Sequence, residues 1–126
     1  MKQPEYLIET DILIEHLTHS QKGSESILEK LMQKGICFTS VINASELLFS
    51  VKNDEEKENV VKLLSSLKVL GLNSRYSLYV SGLDKKLKNS RDSLIFVLAK
   101  LNKLKIVTCE KNKYVKITKH VTVINP

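Results

Sequence analysis

The stretch Arg91–Thr108, RDSLIFVLAKLNKLKIVT, carries two hydrophobic patterns in succession. RDSLIFVLAKLNKL is apolar on most sides at helical spacing, as a helix buried against a sheet must be. KIVT follows at once and reads as a short buried strand. A buried helix running directly into a buried strand belongs to a chain that alternates the two.

The same alternation extends in both directions. YLIE near the start is a strand, and DILIEHL begins a helix with Asp11 expected as its N-cap. HSQKGS is a loop; ESILEKLMQK is a helix whose stripe is Ile27, Leu28, Leu31 and Met32, with Gly35 as its stop. ICFT is a second strand, and Ser40 is placed to cap the helix VINASELLFS. After the polar break KNDEEKEN, residues Val60, Val61, Leu63, Leu64 and Leu67 mark another amphipathic helix. KVLGL is a third strand, SRYSLYVSGLDKKLKN a helix, and VTVI a fifth strand after KIVT. Short apolar strands alternating with helices imply an α/β fold on a parallel sheet of about five strands, covered on both faces. No linker, low-complexity tract or repeat divides the chain, so residues 1–126 are expected to form one domain.

Composition agrees. A chain of 126 residues, 42% hydrophobic and 27% charged, is the size and balance of one folded domain, not of a disordered segment. No apolar run approaches the roughly 18 residues of a membrane span. MKQPEYLIETD lacks the apolar core of a signal peptide, so a cytoplasmic location without membrane association is expected. Cys37 and Cys109 form no paired motif and read as reduced, partly buried thiols. The net charge of +6 comes mainly from lysine and favours polyanionic partners, which becomes informative only when joined to a site.

In an open parallel sheet that site lies beyond the carboxyl ends of the strands. Four acids fall there. Glu9 ends the first strand, Glu46 lies in the second turn of the helix after the second, Asp92 opens the helix before the fourth, and Glu110 follows the fourth. Each has a structural explanation taken alone, such as helix-dipole compensation for Asp92 or a turn beside Lys111 and Lys113 for Glu110. Together they form a set of hard oxygen donors, which suits Mg²⁺ or Mn²⁺. Zinc is disfavoured, because His16, His19 and His120 have no companion ligands at useful spacing. A carboxylate–magnesium site on a basic chain implies phosphodiester chemistry.

YLIETDILIEHL, TSVINASELLFSV, RDSLIFVLAKLNKLKIVT and TCEKNKY, in that order and spacing, resemble the PIN-domain family, most closely its small VapC-like toxins, over essentially the whole chain. The resemblance implies a three-layer α/β/α fold and a metal-dependent endoribonuclease. It assigns the catalytic, metal-holding acids to Glu9, Glu46, Asp92 and Glu110, with Asp11 and Thr108 in support. It also implies a Mg²⁺ or Mn²⁺ cofactor, an RNA substrate, a small antitoxin protein that fills the active-site groove, and a homodimer formed through helices. For the dimer surface RYSLYVSGL, with Tyr76, Tyr79 and Leu83, competes with core packing. The chain departs from the family by carrying glutamate at the first and fourth places, where aspartate is usual. It also has Asn89 and Arg91 beside the third acid, Arg91 being placed either to contact phosphate or to neutralise the site. An alternative is therefore a catalytically weakened PIN-like domain that acts as an RNA- or protein-binding module. A receiver-like signalling domain would need a phosphoacceptor aspartate ending a central strand, and ICFTS and KVLGL offer none.

Overall fold

The sheet of the computed structural model is all-parallel and places its first strand at the centre. The structure describes residues 2–19, 23–83, 87, 89–114 and 121–126. Its elements run β1 (Glu5–Ile8), α1 (Thr10–Thr18), α2 (Ile27–Lys34), β2 (Ile36–Ser40), α3 (Val41–Ser50), α4 (Asp54–Ser65), β3 (Lys68–Leu70), α5 (Ser74–Val80), α6 (Ser90–Asn102), β4 (Lys105–Val107) and β5 (Val123–Ile124). The strand order is β3-β2-β1-β4-β5. The chain thus winds outward from β1 to β3, then returns to add β4 on the other side of β1. The crevice beyond the ends of β1 and β4 is the switch point at which such sheets bind ligands.

Alternation along each strand divides the core into two layers, since successive side chains leave a strand on opposite faces. Tyr6, Ile8, Cys37 and Val107 pack with Ile12, Leu13, Leu28, Leu31, Leu47, Val60 and Leu63, from α1 to α4. Leu7 and Ile106 pack on the other face with Ile95, Phe96, Leu98 and Ala99 of α6, with Tyr76 of α5 partly buried against them. The three-layer arrangement expected from the sequence is what forms.

Several local expectations need correction. The N-cap of α1 is Glu9, and Asp11 lies within its first turn. Gly35 does close α2 as its C-cap, but with an extended backbone and not a left-handed one. It is required because a Cβ there would stand 2.2 Å from the Pro4 carbonyl oxygen, which accepts the Ile36 N–H at 2.9 Å. Only Lys52 and Asn53 of the polar run KNDEEKEN lie between helices: Asn53 caps α4 with its side chain, and the helix begins at Asp54, where three acids offset the dipole. Helix α5 ends at Val80, and positions 84–86 and 88 of the expected longer helix lie outside the described residues, as does His120. Tyr76 and Leu83 pack towards the core, whereas Tyr79 is exposed. Met32 and Val61 are exposed, and of the two thiols Cys37 is buried and Cys109 exposed. Burial pushes the Cys37 thiol up to about 11.

Both outer strands are short, three residues in β3 and two in β5, and β3 carries Lys68 over the Phe38 ring at 5.6 Å. Among the described residues, no helix is long and apolar enough to cross a membrane.

Candidate active site

Glu9 continues the central strand by one residue: its N–H donates to the Val107 carbonyl at 3.0 Å. Its side chain makes no capping bond to α1 and is almost wholly buried at 1% exposure. A buried carboxylate is costly unless every oxygen is paired. Here Oε1 accepts from Asn43 Nδ2 at 2.9 Å and from Arg91 Nη2 at 2.7 Å. Oε2 accepts from Arg91 Nη1 at 2.9 Å and from the Tyr114 hydroxyl at 2.5 Å.

Asn43 is held by the first turn of α3. The Ser40 hydroxyl accepts the Asn43 N–H, and Asn43 Oδ1 accepts the Ser40 N–H and hydroxyl. This capping box fixes an amide that reaches both Glu9 and Thr10 Oγ1. Thr10 in turn donates to Glu46 Oε1 at 2.5 Å. Helix α6 is capped in the same way by Asn89 Oδ1, which accepts the Asp92 N–H at 2.8 Å.

Arg91 stands between the acids. Nη1 donates to Glu9 and to Asp92 Oδ1 at 3.0 Å, Nη2 to Glu9 and to Glu46 Oε1 at 2.8 Å, and Nε to Glu46 Oε2 at 3.2 Å. All five guanidinium N–H groups are thereby engaged by carboxylate oxygens. Burial alone would raise the Glu9 carboxyl, but Arg91, with Tyr114 and Lys113, outweighs burial and holds it below the usual range. Glu46 behaves likewise, burial being outweighed by Arg91 and Thr10. Burial also raises the Tyr114 phenol, and the Glu9 charge raises it further.

Of the four acids expected to meet, three do. Glu9, Glu46 and Asp92 converge on one guanidinium, while Glu110 is exposed and pairs with Lys113 at 3.3 Å. Lys113 also approaches Glu9 at 3.7 Å, so it bridges the trio to Glu110. Glu46 is 41% exposed on its side chain, and Phe49 one turn on is 94% exposed. Asp11 takes a supporting place: its Oδ2 accepts from Thr108 Oγ1 at 3.0 Å and from the Cys109 N–H at 2.7 Å. Thr108 Oγ1 also accepts the Glu110 N–H at 3.2 Å, tying Asp11 to the turn that carries Glu110. Tyr114, Asn43, Thr10 and Lys113 were not among the sequence candidates. Only the Ser40–Asn43 cap spacing and the closing tyrosine of TCEKNKY gave a signal for them.

Glu46, Asp92 and Glu110 line a groove of about 990 Å³ together with Thr10, Asp11 and Arg91, and Arg91 connects it to the buried Glu9. A smaller cavity of about 380 Å³, between α1 and α4, shares no residue with it. His16 and His19 have structural partners: His16 meets Ser26, and His19 meets Glu15 and Ser24.

With Arg91 between the acids, the described residues contain no group of three His, Cys, Asp or Glu positioned around one metal ion. The donor chemistry nevertheless fits a hard divalent cation. The donors are all oxygens, and three carboxylates already surround a single cationic group. Each Glu9 oxygen keeps one bond, from Asn43 or Tyr114, and gives its other position to Arg91.

Residues 6–119 match the PIN domain, and the chain belongs to the PIN-domain family. The family is one of metal-dependent nucleases. The same fold is found in structures of toxin–antitoxin complexes. Against VapBC2 from Rickettsia felis, bound to a promoter DNA fragment, the TM-score is 0.78 at 20% identity, covering 97% of this chain and 98% of that one. DNA-bound VapBC from Salmonella typhimurium gives 0.78 at 17% identity, over 96% and 97% of the two chains. VapBC-1 from nontypeable Haemophilus influenzae gives 0.75 at 20%, again over 96% and 97%. No curated protein matches the sequence.

Proposed function

We propose that this single-domain chain is a VapC-type toxin, an endoribonuclease that hydrolyses RNA phosphodiester bonds with Mg²⁺ or Mn²⁺. The observation that carries this reading is the convergence of Glu9, Glu46 and Asp92 on one point at the wall of an open groove. These three would hold the ion, with Glu110 as an outer acid across the groove. The ion supplies activation of a water and stabilisation of charge on the phosphate. Asp11, fixed by Thr108 and the Cys109 N–H, orders the turn that presents Glu110. Lys113 faces the same groove and offers positive charge to the RNA backbone. The likeness to VapBC assemblies supports a small antitoxin protein as partner; a homodimer acting in the cytoplasm completes the proposal.

A pool of total RNA incubated with the purified chain, with and without Mn²⁺, tests this. Cleavage is expected only with the ion and is abolished by Asp92→Asn or Glu46→Gln. Full activity in excess chelator refutes it. A second reading, a weakened PIN-like domain that binds RNA or protein without turnover, is favoured by the four hydrogen bonds that satisfy Glu9. It predicts RNA retention without cleavage, and activity gained on Glu9→Asp with Glu110→Asp.

A further inference from the structure

We propose that Arg91 is a resident counter-ion that holds the place of the divalent cation, so that cation binding and release of the guanidinium are one exchange. The inference rests on the metal-dependent reading above, but it concerns a step that precedes any chemistry.

Three independent features support it. The first is the hydrogen-bond count: each of the five guanidinium N–H groups meets an oxygen of Glu9, Glu46 or Asp92. The second is position. Arg91 is the second residue of α6, where a positive charge opposes the helix dipole, and no benefit to the helix explains it there. The third is a way out. The Arg91 side chain keeps 24% exposure and lines the groove, so it can rotate into solvent without unpacking the core. Its departure would free one acceptor position on each Glu9 oxygen while Asn43 and Tyr114 keep the carboxylate in place. Both Glu46 oxygens and Asp92 Oδ1 would lose their guanidinium bonds at the same moment. The acids cannot serve both cations, so each lowers the affinity for the other.

Calorimetric titration of Mn²⁺ into the full chain tests the exchange, with circular dichroism to verify folding. Arg91→Gln is expected to bind Mn²⁺ about tenfold more tightly than the unaltered chain, or better. Its Tm should also rise further on Mn²⁺ addition. Arg91→Lys keeps the charge but has three donors in place of five, and is expected to bind with intermediate affinity. It also keeps the test decisive if the glutamine variant fails to fold. Mn²⁺ affinity in Arg91→Lys equal to or weaker than that of the unaltered chain overturns the proposal. RNA cleavage is read separately on the same preparations. Tighter Mn²⁺ binding without cleavage leaves the exchange standing and removes the nuclease reading, whereas cleavage with unchanged affinity does the reverse.

Discussion

Tyr114 donates its phenolic hydrogen to Glu9 Oε2 at 2.5 Å, across 105 positions of sequence. The bond joins the segment after β4 to the central strand and closes one side of a buried carboxylate. Tyr114 is itself only 1% exposed, so its loss cannot be made good by bulk water. Tyr114→Phe should therefore cost about 1.5–3 kcal/mol, the range for a hydrogen bond to a charged group. Urea unfolding of the two proteins at neutral pH measures it, and equal midpoints would show that the bond contributes nothing.

Acid should weaken the fold in a defined window. Glu9 and Glu46 both have carboxyls held below the ordinary 4.5 in the folded chain. In such a case the folded state binds fewer protons than the unfolded one. The stabilisation is thus fully present above about pH 4.5 and is lost as pH falls through the lower folded values. Unfolding free energy measured between neutral pH and pH 3 should be flat at first and then fall. A rise in stability across the acid limb would contradict the assigned direction.

Ser40→Ala tests how the site is held from behind. The hydroxyl caps α3 and fixes Asn43, which in turn holds Glu9. The expected loss is about 0.5–2 kcal/mol by chemical denaturation. Because the Asn43 amide is loosened as well, the divalent-ion affinity should fall with it, which a cap remote from the site would not cause.

Gly35→Ala should fail for a reason unrelated to helix termination. The new Cβ would lie 2.2 Å from a backbone oxygen that already pairs with Ile36. Backbone has no rotamer through which to give way, so a loss of about 1–3 kcal/mol is expected, as for overpacking elsewhere. Thermal melting measures it, and an unchanged Tm would contradict it.

Glu110 should separate stability from cleavage. Glu110 is 60% exposed on its side chain and pairs only with Lys113 among the described residues, so Glu110→Gln should change stability by no more than about 0.5 kcal/mol. Any loss of RNA cleavage in that variant would then be chemical in origin. Denaturation and cleavage assays on one preparation make the comparison.

The architecture was legible because short apolar runs such as YLI, ICF and KIV alternate with amphipathic helices, the pattern of a parallel sheet covered on both faces. Boundaries were less legible. KNDEEKEN looks like a break because it is polar, yet acids are what the start of a helix favours. Gly35 does stop its helix, but nothing in the sequence announces that Pro4 lies against it and leaves no room for a side chain. The acids Glu9, Glu46 and Asp92 could be foreseen as neighbours from their places at strand exits. Their joint attachment to Arg91 could not, because a long side chain chooses among partners only once the fold has set them within reach. Glu110 was expected with them, but its turn directs it outward to Lys113.

The brevity of β3 and β5 sets how other molecules can join this one. A foreign strand laid along either rim of the sheet would find two or three residues to zip against, too few for lasting main-chain recognition. Visitors must instead grip side chains, on the helical flanks or down in the acid-lined trough. Self-stacking into fibrous aggregates is discouraged by the same economy of edge.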